Sequence, residues 1–76
     1  MIYQHTHHSR RRSLERRITD AEIGQALADQ IEERPHSEDA HKRVHIGVTS
    51  AGRILKMVMA YDDDPPVLVT VTEVGK

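Results

Sequence analysis

The sequence predicts a single α+β domain over residues 1–76, with two N-terminal helices packed on a three- or four-stranded antiparallel sheet. Three observations carry this expectation. Apolar residues recur at three- and four-residue spacing before Pro35, the spacing changes to two after Lys42, and turn-forming runs punctuate the second half. The helical hairpin is expected over about 7–33 and the sheet over about 42–74.

Thr19-Asp20-Ala21-Glu22 reads as a capping box. The Thr19 hydroxyl can accept from the Glu22 amide while the Glu22 carboxylate reaches back. The second helix follows, with Ile23, Ala26, Leu27, Ala28 and Ile31 on one stripe, and is expected to reach Glu32 or Glu33 before Pro35 stops it. The first helix is expected over about His7 to Arg17, or one turn earlier. It is poor in apolar residues, and the stripe of Leu14 and Ile18, shared by His7, is expected to dock it.

Val44, Ile46 and Val48 alternate with His45, Gly47 and Thr49, the pattern of a half-buried strand. Arg53 to Tyr61 carries apolar residues on both faces, Ile54, Val58 and Ala60 against Leu55, Met57 and Met59, as a central strand does. Asp62 to Pro66 is a turn, since two prolines cannot sit in a ladder, and Val67 to Val74 is the last strand. Two helices cover one sheet face, so Leu55, Met57, Met59 and Leu68 are expected to need other cover. A homodimer, or a groove for a ligand or partner protein, would supply it.

A chain this short buries only about 60% of its extended surface, so its core is thin. With no cysteine, disulfides and thiolate metal sites are excluded. The lack of cysteine, of a long apolar run and of a signal-like N-terminus leads to the expectation of a cytoplasmic protein without a membrane partner. The near-neutral total charge hides a segregation. Residues 1–18 hold Arg10, Arg11, Arg12, Arg16 and Arg17 against Glu15 alone, whereas residues 19–41 are strongly acidic. That points to a polarised surface, or to two blocks that neutralise each other.

His8, Arg12 and Arg16 stand at i, i+4 and i+8, on one side of the first helix, and His5 joins them if the helix begins early. Guanidinium groups hold phosphate and stabilise added negative charge, while imidazole exchanges protons near neutral pH. With RNA, a 2′-hydroxyl could attack its own phosphate, with no metal or other cofactor. The plainer reading is a solvated face, or one paired with Asp20, Glu22 or Glu32. His5, His7 and His8 are closely spaced, but no ligand set of a structural metal site accompanies them. Asp62–Asp64 lacks the glycine and distal glutamate of a calcium loop.

The stretch His8-x3-Arg12-x3-Arg16-x-Ile18-Thr19-x2-Glu22-Ile23-x2-Ala26-Leu27 resembles the opening of a small bacterial family, a domain of unknown function, and Val69-Thr70-Val71-Thr72 resembles its closing strand. The family pattern is similar to the RelE, ParE and BrnT toxins, many of them metal-independent ribonucleases that pair with antitoxins. The resemblance implies a RelE-like architecture and RNA cleavage. Carried onto this chain, it marks His8, Arg12, Arg16 and Thr70 as catalytic candidates. His5, Arg53 and Lys56 are candidates for holding substrate. Arg17 stands where the family has glycine, and Thr72 where an aromatic is common. ParE-type relatives bind gyrase instead of cutting RNA, so a non-catalytic protein-binding module is the alternative. The scarcity of aromatics (Tyr3 and Tyr61 only) favours it, because no platform for stacking bases is offered.

Overall fold

The computed structural model describes residues 2–75. Strand β1 (Gln4–His5) is followed by helices α1 (His7–Glu15) and α2 (Asp20–Ala28) and strands β2 (Gln30–Pro35), β3 (Lys42–Val48), β4 (Ile54–Ala60) and β5 (Val67–Glu73). The fold is α+β, but the sheet differs from the expectation. Among the described residues it has five strands in the order β1-β5-β4-β3-β2 and is mixed, because β1 runs parallel to β5 while the other pairs are antiparallel.

Two elements escaped the sequence reading. The apolar spacing continues through Ile31, yet α2 stops at Ala28 and the next residues turn into β2. All six β2 residues are exposed, so this edge strand has no apolar alternation to announce it. β1 is a two-residue strand, and His5 belongs to it, not to an early turn of α1.

Both helix starts are capping boxes. At α2, the Glu22 N–H donates to Thr19 Oγ1 at 3.1 Å and the Thr19 N–H to Glu22 Oε1 at 3.0 Å. At α1, the same exchange joins Thr6 and Ser9, each at 2.9 Å. The α1 C-terminus closes as a Schellman motif. The Ile18 N–H reaches Ser13 C=O (2.8 Å), the Arg17 N–H reaches Leu14 C=O (3.2 Å), and Arg17 takes φ 54°. A left-handed position of this kind favours glycine.

The docking of α1 also differs. Leu14 is 72% exposed, whereas Ser9 and Ser13 are the buried residues of the helix. Small hydroxyl residues let α1 lie close on the β5 side of the sheet, and Arg16 Nη1 donates to Val71 C=O at 2.6 Å. The core lies under α2 and the turn before it: Ile18, Ile23, Ala26 and Leu27 pack on Leu55, Met57, Met59, Leu68 and Val71. The face expected to lack cover is therefore the covered one. Gly47 belongs to it, opposite Leu55, and a side chain there would run into the Ala26 carbonyl of α2. The face without a helix carries Val44, Ile46, Val48, Ile54, Val58 and Ala60, because cross-strand partners share a face; Val44 and Val58 are buried there among their neighbours and the other four are half-buried.

Candidate functional site

The outer side of α1 forms the candidate site. Arg16 ties α1 to the β5 carbonyl, which fixes the rotation of the helix and turns His8, Arg11, Arg12 and Glu15 outward. These four side chains line a shallow cleft of about 260 Å³. Spacing explains the grouping, since positions 8, 11, 12 and 15 fall on one face at three- and four-residue steps. Neither Arg11 nor Arg12 forms an ion pair among the described residues, whereas Arg10 lies 3.6 Å from Asp20. The cleft therefore combines an imidazole, a carboxylate and two guanidiniums whose charge is not cancelled by a direct partner. Glu15 was missed in the sequence because it reads as a lone acid in a basic helix. Its place at i+7 from His8 is the signal that could have found it.

The other sequence-marked residues lie elsewhere. His5 is nearly buried at 7% exposure, with Nε2 2.6 Å from Asp20 Oδ1 and Nδ1 3.0 Å from Ser9 Oγ. This chain of contacts has the outline of a Ser-His-Asp triad. The serine, however, is fully buried, and its Oγ already accepts from the Thr6 N–H and donates to the Thr6 carbonyl within the helix cap. No substrate can reach it, and the cluster instead fastens β1 and α1 to the start of α2. Tyr3 completes the cluster, donating to Asp20 Oδ1 at 3.1 Å, and burial followed by Asp20 pushes its hydroxyl up to about 12. The hydrogen bond from His5 holds the Asp20 carboxyl below its ordinary range, with Tyr3 and Arg10 adding to the effect.

Arg53 is a clamp. Its guanidinium donates to Glu22 Oε2 (2.6 Å), to Glu73 Oε1 (2.9 and 3.1 Å) and to the Arg17 carbonyl (3.0 Å), so α2, β5 and the interhelical turn meet on one side chain. Lys56 and Thr70 lie on the sheet face without a helix, as their pairing with Ile46 and Val58 dictates. The structure thus brings His8 and Arg12 together, sets Arg16 beside them as an anchor, and leaves His5, Arg53, Lys56 and Thr70 outside that cleft.

A second polar cluster went unnoticed in the sequence. His45 is fully buried, with Nδ1 2.9 Å from Gln30 Oε1 and 3.1 Å from Glu33 Oε1, and Nε2 2.7 Å from the Tyr61 hydroxyl. Strand alternation puts His45 on the face opposite Val44 and Ile46 and does not mark it as buried.

Among the described residues no group of three or more His, Cys, Asp or Glu is arranged to hold a metal, and no helix is long and apolar enough to cross a membrane. Residues 5–73 match the family described as Domain of unknown function (DUF4258). The chain belongs to that family. No curated protein and no solved structure matches it. The match to DUF4258, from His5 to Glu73, spans both helices and strands β2 to β5 and enters at the second residue of β1, and so includes the α1 cleft and the Arg53 clamp.

Proposed function

We propose that this DUF4258 domain is a toxin-like module that cleaves RNA without a metal, with the reacting phosphate held in the α1 cleft. The observation that carries the reading is the composition of that cleft: His8 and Glu15 flank Arg11 and Arg12, all four open to solvent. Cleavage by an internal 2′-hydroxyl needs three things, a base, an acid and a group that stabilises charge on phosphorus. Glu15 takes the 2′-hydroxyl proton as the O2′–P bond forms. Arg12 and Arg11 hold the non-bridging oxygens, and the free donors of Arg16 extend their reach. His8 gives a proton to the departing 5′-oxygen as the P–O5′ bond breaks, leaving a 2′,3′-cyclic phosphate. The RelE-like likeness of the sequence pattern supports the same class of chemistry, on a fold of two helices against one sheet face.

The test uses the purified chain with a short RNA and its 2′-O-methyl counterpart, in the presence of a chelator. Cyclic-phosphate products from the first substrate only, lost in His8→Ala and in Glu15→Gln, are the expected result. Equal cleavage of both substrates, or none of either, refutes the proposal.

One observation favours a second reading, a protein-binding module in which the cleft is not catalytic. The sheet face without a helix carries Ile46, Val48, Ile54 and Ala60 half-buried around the buried Val44 and Val58. An antitoxin-like partner, or a second copy forming a homodimer, would complete the burial of the four half-buried ones. Under this reading Ile46→Asp abolishes association measured by sedimentation, while Arg12→Ala leaves it intact.

A further inference from the structure

Strand β2 lies at the sheet edge, is exposed along its whole length and is interrupted by an irregularity at Ile31, so its ladder to β3 has little cover. One buried side chain reaches it from the sheet interior. His45 contacts β2 through Gln30 and Glu33 and contacts the segment after β4 through Tyr61. The proton positions follow from the partners. The Gln30 amide nitrogen donates to the Leu27 carbonyl at 2.9 Å, which turns Gln30 Oε1 toward His45 as an acceptor. The His45 Nδ1 therefore carries a hydrogen. The Nε2 atom is then left with a lone pair for the Tyr61 hydroxyl proton. Every polar atom of the cluster is satisfied by a neutral imidazole of one tautomer.

We infer that His45 is a pH-operated latch, which holds β2 on the sheet while neutral and releases it when protonated. A second ring proton would face the Tyr61 hydroxyl, which would have to give up its own donation and turn. The imidazolium would also carry a full charge in a position with no access to water. The charged and titratable groups around the ring set the balance. From β2, Glu33 favours the cation. From β3, Arg43 opposes it, lying 3.4 Å from Glu33 and drawing part of that carboxylate's charge. Beyond β4, Tyr61 favours the neutral ring, and Met57 directly across on β4 brings no charge. Burial is the largest influence and pushes the imidazole below its ordinary value, Glu33 only partly restoring it. The sign follows. The latch contributes its full stability above the ordinary histidine range and loses it as pH falls through the lowered value.

Hydrogen exchange of the full chain, read amide by amide at about pH 7.5 and about pH 5 and corrected for intrinsic rates, tests this. Protection of the β2 amides is expected to fall by about tenfold for each unit by which the His45 midpoint lies below that of a free histidine. The β4 and β5 amides are expected to keep theirs. The His45 ring resonances give the midpoint directly. Tyr61→Phe removes the donor to the neutral ring and moves release to higher pH. Glu33→Gln removes the carboxylate that favours the cation and moves release to lower pH. Unchanged β2 protection overturns the latch. So does loss of β4 and β5 protection in step with β2, or movement of the two variants in the same direction.

Discussion

Gly47→Ala is the sharpest structural perturbation this fold offers. A methyl group at position 47 would stand 2.6 Å from the Ala26 carbonyl carbon and 3.0 Å from the Ala26 Cα, and would overlap the carbonyl oxygen. Non-bonded carbons settle at about 3.5–4.0 Å, so α2 must retreat by about 1 Å from β3. The obstacle is helix backbone, which cannot swing aside as a side-chain tip can. Retreat also loosens Ile23, Ala26 and Leu27, the three buried residues through which α2 closes the core. Overpacking costs about 1–3 kcal/mol, and the loosened contacts bring the sum to about 3 kcal/mol or more. A chain of this length holds roughly 4–11 kcal/mol in total, so the variant loses a large part of its stability. With a urea slope of about 1 kcal/mol/M for a small domain, the unfolding midpoint drops by about 3 M. Gly24→Ala is the control. That glycine lies within α2 with nothing within 4 Å of the added carbon, and the exchange is expected to stabilise by about 0.5–1 kcal/mol. A Gly47→Ala midpoint within 1 M of the parent, at unchanged slope, would refute the close α2–β3 contact.

Three further outcomes follow from the same contacts. Arg53→Ala leaves Glu22 and Glu73 without their shared cation. Their side chains are 20% and 19% exposed, so the loss falls between that of a surface pair and a buried one, at about 2 kcal/mol in thermal unfolding. Arg17→Gly relieves the left-handed backbone while retaining the carbonyl that Arg53 uses, and is expected to gain about 0.5–1 kcal/mol. Asp20 is a carboxylate held below its ordinary range, chiefly by His5, so its contribution is full above that range and is lost as pH falls through the lowered value. Asp20→Asn should therefore flatten the acid side of the stability–pH curve and leave the neutral region with a small, constant offset.

The parts of the fold that were legible in the sequence are those governed by local chemistry. The Thr19–Glu22 box, the turn at Asp62–Pro66 and the β-alternation from Val44 all announce themselves within a few residues. What escaped was decided by tertiary contact. β4 is apolar on both faces, so alternation alone could not say which face the helices would cover. Alternation in β3 separates Gly47 and His45 from the aliphatic positions, and nothing in it marks their face as the one under the helices. In fact α2 needs a position without a side chain to approach β3, and His45 is tolerated inside because all its polar atoms are paired. Leu14 was read as the anchor of α1, whereas Ser9 and Ser13 allow a closer approach than leucine would. For the candidate site, helical spacing placed His8 and Arg12 on one side correctly, but charge counting hid Glu15 among five arginines. Arg53 had the right charge for a phosphate ligand, and only the fold shows that two carboxylates and a carbonyl already occupy it.

The proposal of RNA cleavage in the α1 cleft is tested most directly in cells. Wild-type chain and His8→Ala are induced side by side to equal soluble amounts, and total RNA is followed with time. The account predicts RNA decay and growth arrest with the wild type and intact RNA with His8→Ala. Intact RNA with the wild type, or equal decay with both, would contradict it.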